Sequence, residues 1–148
     1  MAGSIGSGGQ EPMIGYVLLN YFFFVFHTLL VLFNTLGWIW KRTRRLNLLT
    51  LLLTSFSWFG MGIWYGWGYC LCTDWHWRVR QALGYHDTCR TYIQLMLLEI
   101  TGKVYPVGIV EAITLTGFLI SLVGSLVLNA RDFRHRTTHK PSDNTAAL

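Results

Sequence analysis

Five side chains suited to metal or thiol chemistry, Cys70, Cys72, His76, His86 and Cys89, fall within twenty residues of the chain. Thiolate and neutral imidazole are the usual zinc ligands, and four of them close a structural site. A Cys-x-Cys pair with a histidine three residues further on matches no common zinc spacing, so the pattern gives a metal centre little support. A disulfide between Cys89 and Cys70 or Cys72 is open if the segment faces an oxidising compartment. The plain reading is three reduced, part-buried thiols. Thiol exchange by Cys70 and Cys72 is a further reading, for which the sequence alone offers no group that lowers a thiol pKa.

The same segment contains Thr73-Asp74-Trp75-His76-Trp77-Arg78-Val79-Arg80, which reads as a short amphipathic helix capped by Thr73 or Asp74. Trp75 and Trp77 suit the head-group level of a bilayer, and Arg78 and Arg80 can reach phosphates. Interfacial anchoring is the structural expectation. The functional one is a lid over a pocket, with Asp74 and His76 facing inward.

A second set of polar side chains lies inside long apolar runs. Asn20, His27 and Asn34 recur every seven residues and so share one helix face. Ionisable groups at membrane depth are costly and face protein or trapped water. This face is therefore expected to pack on the next span, where Thr50, Thr54 and Ser57 form a small polar stripe. Gly117, Ser121 and Ser125 repeat every four residues, a pattern that permits close helix contact. Glu111 stands about one turn inside the last span. The sharper readings make His27 a haem ligand, or His27 and Glu111 a proton relay. A b-type haem usually takes two histidines, and no other span carries one.

The elements that must position these groups follow from composition. Of 148 residues, 52% are hydrophobic and only 13% charged, about half the charged share of a soluble domain. Three runs, 13–40, 46–69 and 106–129, reach the roughly 20 apolar residues that a bilayer core requires. Pro106 suits the start of the third. The intervening loop, 70–105, contains an apolar stretch at 91–101 that is short for a crossing and reads as an interfacial or re-entrant helix; a fourth crossing is the alternative. Residues 1–12 are Gly/Ser-rich and lack Lys and Arg, as in a flexible tail. The run after them is too long for a signal-peptide core. Residues 13–130 would form one membrane domain, and 131–148 a basic and then polar tail. With three spans, the 41–45 turn and the C-terminal tail share a side that carries eight Lys and Arg, against four for the other side. The positive-inside rule then puts the C-terminus in the cytoplasm. The net charge of +5 is clustered beside the spans, which argues against a nucleic-acid face. The chain has no phosphate loop, nucleophile elbow, dinucleotide fingerprint or zinc-protease signature.

In order and spacing, several residues resemble those of an uncharacterised bacterial family of small membrane proteins, a domain of unknown function. They are His27, Phe33 and Gly37 in the first span, Cys70-Leu71-Cys72-Thr73 and Arg80 after the second, and Tyr105-Pro106 before the third. The likeness covers about residues 16–130. Leu71 stands where the family has proline, His76 where it has glutamate, and the tryptophan is shifted by one. A second histidine common in the family's second span is absent, which weakens any bis-histidine cofactor. The resemblance implies fold and membrane location, and no activity.

The expectation is an all-α bundle of three spanning helices plus short interfacial helices in a bacterial inner membrane. Its leading role is that of a structural or accessory subunit, in contact with lipid and with a membrane-protein partner or a second copy. The alternatives are a redox or metal protein that uses His27 or the Cys70/Cys72/His76/Cys89 cluster, and a protein that binds a lipid or other apolar ligand. An enzyme is left open and not favoured, and no cofactor can be named.

Overall fold

The computed structural model describes residues 11–86 and 88–138. The tail expected over residues 1–12 lies outside them, apart from Glu11 and Pro12, and so does the polar tail beyond Thr138. Among the described residues every regular element is helical. In chain order these are α1 (Glu11–Leu36), α2 (Arg44–Ser55), a π-helical turn (Phe56–Met61), α3 (Gly62–Tyr65), α4 (Leu71–Ala82), α5 (Tyr92–Thr101) and α6 (Val107–Thr138). Three segments are long and apolar enough to cross a membrane: Met13–Leu36, Arg44–Tyr65 and Val107–His135. Much of their apolar surface faces outward, as at Leu18, Phe22, Leu29, Leu53, Ile113 and Ile120. In water that exposure would be untenable, whereas in a bilayer it is the solvated surface. The protein is an all-helical membrane protein.

The first helix stops four residues short of Trp40, and side chains of the following turn and helix reach its end. The last carbonyls of a helix lack intrahelical partners. The fully buried Asn47 Nδ2 donates to the Phe33 carbonyl at 2.7 Å and lies 3.3 Å from that of Asn34. Thr43 Oγ1 donates to the Gly37 carbonyl at 2.6 Å, and Arg44 Nε to that of Trp38 at 3.1 Å. Gly37 is required here because an added Cβ would lie 2.6 Å from the Phe33 oxygen and 3.0 Å from Asn47 Nδ2. The turn is thereby sewn to both of its helices by side-chain donors.

This turn end of the bundle also receives the far end of α6. Arg44 pairs with Asp132 at 2.9 Å, and Asn129 Nδ2 donates to the Arg44 carbonyl at 3.1 Å. These contacts lie where α6 continues past the expected span end at 129 and into the basic tail expected from 131. The small-residue face of α6 is used unevenly. Ser125 is fully buried, and Ser121 lies 3.4 Å from the Thr35 carbonyl. Gly117, however, has open space where a Cβ would be, whereas a Cβ added at Gly124 would lie 3.3 Å from the Trp38 ring.

At the opposite, loop end, α2 passes into the π turn. A π turn widens the helix locally and frequently marks a functional position. Gly66 and Gly68, at φ +104° and +80°, then reverse the chain in a backbone region that L side chains rarely adopt. The last third of the expected second span is therefore not one straight helix, since its glycines break it at Gly66.

Replacing Gly37 by alanine should lower thermal stability in detergent by about 1–3 kcal/mol, the cost of overpacking a tight contact. Gly15, whose added Cβ would meet nothing within 4 Å, is the control. There alanine should be neutral or stabilising, because it favours the helix. A thermal unfolding scan of the two variants checks this.

Candidate functional site

The periodic face of α1 has three different neighbours. Only Asn34 meets the second span, where its Nδ2 donates to Thr54 Oγ1 at 3.0 Å and its Oδ1 accepts from Thr50 Oγ1 at 2.8 Å. Ser57, grouped with those threonines in sequence, donates instead to the Tyr69 carbonyl at 3.0 Å. Asn20 faces α4, where its Oδ1 lies 2.9 Å from His76 Nε2. His27 faces α5, its ring stacked parallel on Tyr92 at 3.9 Å between centroids. The expectation that the whole stripe packs on the second span therefore fails for Asn20 and His27. The cause is that the loop helices fold down beside α1.

Tyr92 is the residue that the sequence did not single out. Its hydroxyl donates to the Phe24 carbonyl at 2.6 Å and lies 2.7 Å from Thr28 Oγ1. The start of α5 is set by a capping box. The Gln94 amide donates to Thr91 Oγ1, and Gln94 Oε1 accepts from the Thr91 and Arg90 amides. Gln94 Nε2 reaches on to the Tyr105 carbonyl at 2.8 Å. The Thr-x-x-Gln pattern at 91–94 was the available signal. It places Tyr92 in the first turn, pointing at α1.

α4 begins at Leu71 with Cys70 as its N-cap residue, extended at φ −127°, ψ 117°, ahead of the expected caps Thr73 and Asp74. Asp74 sits in the first turn and pairs with Arg78 at 3.1 Å. Arg78 and Trp75 are exposed, as an interfacial helix requires, and Trp77 lines a cavity. Arg80 departs from the head-group expectation. It is 7% exposed, with its guanidinium 4.4 Å over the Tyr85 ring and 3.9 Å from Glu99. His76 also departs from the lid expectation, being fully buried against Asn20 and Phe23.

What these elements enclose is a half-open cavity of about 740 Å³, within the range of small-molecule sites. Val31, Phe59, Ala112 and Leu115 supply apolar wall, and Trp58, Trp67 and Trp77 aromatic wall. His27, Cys70, Asp74, Arg90 and Glu111 supply the polar positions. Glu111 and His27, paired in sequence as a relay, border the same space. His27 is 7% exposed, and its Nδ1 is buried with no hydrogen-bond partner.

The cysteine cluster is dispersed. Cys70 borders the cavity, Cys72 lies one turn position on, Cys89 is buried before α5, and His86 is exposed. Among the described residues no three His, Cys, Asp or Glu side chains converge to hold a metal. All three cysteines are thiols in this structure. Hydrogen bonding from Cys72 pulls the Cys70 thiol well below its ordinary pKa. The His27 imidazole and the Thr73 amide act in the same sense, against the opposing effect of burial. Cys72 is pushed up by the same bond.

Removing the Tyr92 hydroxyl with Tyr92→Phe should cost about 1 kcal/mol, since it deletes one hydrogen bond and leaves the stack. Hydrogen exchange of the α5 amides should accelerate while that of the α2 amides stays unchanged. Equal protection in both variants would show that the hydroxyl does not tether α5.

No curated protein and no solved structure matches the chain. The profile of one family, described as Protein of Unknown function (DUF2784), matches residues 17–130, well over half of the chain and the whole region that builds the cavity. The chain belongs to that family.

Proposed function

We propose that this protein binds one amphiphilic molecule in the cavity at the loop end of its bundle, as a multi-pass protein of a bacterial inner membrane. The observation that carries the reading is the composition of that cavity. Its body is apolar and aromatic, and its polar groups, Asp74, Arg90 and Glu111, come from three different elements. An apolar body with a few placed polar groups is the usual build of a ligand site. Glu111 lies within a spanning helix, and ionisable groups at that depth commonly mark a ligand or ion path.

The accessory-subunit reading rested on the small polar faces. Most of these are occupied within the chain: Asn34 by Thr50 and Thr54, Ser121 by the Thr35 carbonyl, and Ser125 buried beside Asn129. They offer less to a partner than the sequence suggested. The contacts between Arg44 and Asp132 bring the basic turn and the end of α6 to the same end of the bundle. That placement supports a topology with both in the cytoplasm and the cavity toward the outer leaflet.

Two measurements test this. Delipidated protein in detergent, mixed with a single-chain zwitterionic phospholipid, should retain one lipid per chain in native mass spectrometry. Ala112→Trp, which fills the cavity, should abolish retention, whereas Ile120→Trp on the exposed face should not. Equal retention by both variants would remove the cavity from consideration. For topology, a C-terminal green-fluorescent fusion should fluoresce and a C-terminal alkaline phosphatase fusion should be inactive, and the reverse pattern would invert the chain.

A further inference from the structure

Cys70 stands where three stabilising features for a thiolate meet. It is the N-cap residue of the twelve-residue α4 and so stands at the positive end of that helix. Cys72 follows two residues on, within the first turn, and lowers the Cys70 thiol pKa. The His27 imidazole, from a different helix, acts in the same sense. The two thiols are both part-buried and differ in setting, since Cys70 borders the cavity and Cys72 is not among the lining residues. His27 lines that same cavity, is more than nine-tenths buried, and leaves Nδ1 without a hydrogen-bond partner. A histidine used only for packing would normally have both nitrogens satisfied.

We propose that Cys70 and Cys72 form a redox-active dithiol, with Cys70 attacking and Cys72 resolving, that exchanges with low-molecular-weight disulfides reaching the cavity mouth. In the first step the Cys70 sulfur attacks one sulfur of a disulfide RSSR. A Cys70–SR bond forms, the S–S bond breaks, and RS⁻ leaves with the electron pair. In the second step Cys72, having given up its proton to solvent or to the departing thiolate, attacks Cys70. The Cys70–Cys72 bond forms and the second RS⁻ leaves. The chain loses two electrons and two protons, and RSSR becomes two RSH. Residues two apart at a helix start are close enough in Cα separation for a disulfide. The small ring so formed would be readily reduced again, as befits an exchanging rather than a structural bridge. The proposal does not depend on amphiphile binding. A cavity without a lipid would leave it intact, and a lipid-binding protein with inert thiols would overturn it alone.

The test uses the full chain in detergent, incubated with oxidised glutathione and mapped by peptide mass spectrometry. Wild type should form the Cys70–Cys72 disulfide, reversibly across a series of glutathione ratios. Cys72→Ser should accumulate glutathione on Cys70, while Cys89, 5% exposed, stays unmodified. His27→Ala should move the midpoint of the pH profile of Cys70 alkylation by iodoacetamide upward. His27→Gln, which retains a donor, should move it less. Should a variant fail to fold, the wild-type map still decides. Adducts confined to Cys89, or no Cys70–Cys72 disulfide at any ratio, would refute the pair.

Discussion

The cavity exists because α5 is tied to the middle of α1, and the tie is one side chain. Tyr92 lays its ring flat on His27 and puts its hydroxyl on the Phe24 carbonyl. Three long apolar helices alone would pack as a bundle with their polar stripe turned inward. With Tyr92 in place, part of the chain between the second and third spans lies against α1. The wall of the cavity beside it includes both His27 and Cys70, which are far apart in the sequence.

The two ends of the molecule divide the work. At the turn end, Asn47, Thr43 and Arg44 satisfy the last carbonyls of α1, and Arg44 and Asn129 fasten α6. Buried polar networks of this kind are costly to break once formed, so that end is the rigid base. At the loop end a π turn, two glycines of positive φ and a ten-residue helix leave space instead of filling it. The aromatic residues there are wall rather than core. Trp64 and Trp67, at 77% and 79% exposed, have the placement of interfacial anchors.

Much of the architecture was legible in the sequence, because hydropathy and length alone specify membrane helices. The three spans and the short apolar helix before Pro106 came from those signals. The site was legible only in part. Cys70, His27, Asp74 and Glu111 could each be singled out by type and setting. Their meeting could not, because it depends on how far the 70–105 segment folds back, and periodicity carries no information on that. Aspartate and threonine are the commoner caps, so the sequence favours Thr73 or Asp74 over Cys70 and conceals the helix-end position of its thiol. The sequence suggests that Arg80 reaches head groups and that His76 faces a pocket under its helix. Both are buried instead, His76 against Asn20 and Phe23 of α1 and Arg80 between Tyr85 and Glu99. Tyr92 carried no chemical label at all, and only the capping box beside it hinted at its direction.

The central claim is that a ligand-sized space lies between His27, Trp58 and Leu115 and takes an amphiphile. An experimental structure of the protein bound to a phospholipid brominated near the end of its acyl chain tests this most directly, because anomalous scattering locates bromine without reference to any starting coordinates. The account predicts a bromine peak within that space, walled by Val31, Phe59 and Leu115. Bromine found only in the annular belt, with the cavity closed by Tyr92 and the tryptophan side chains, would contradict it.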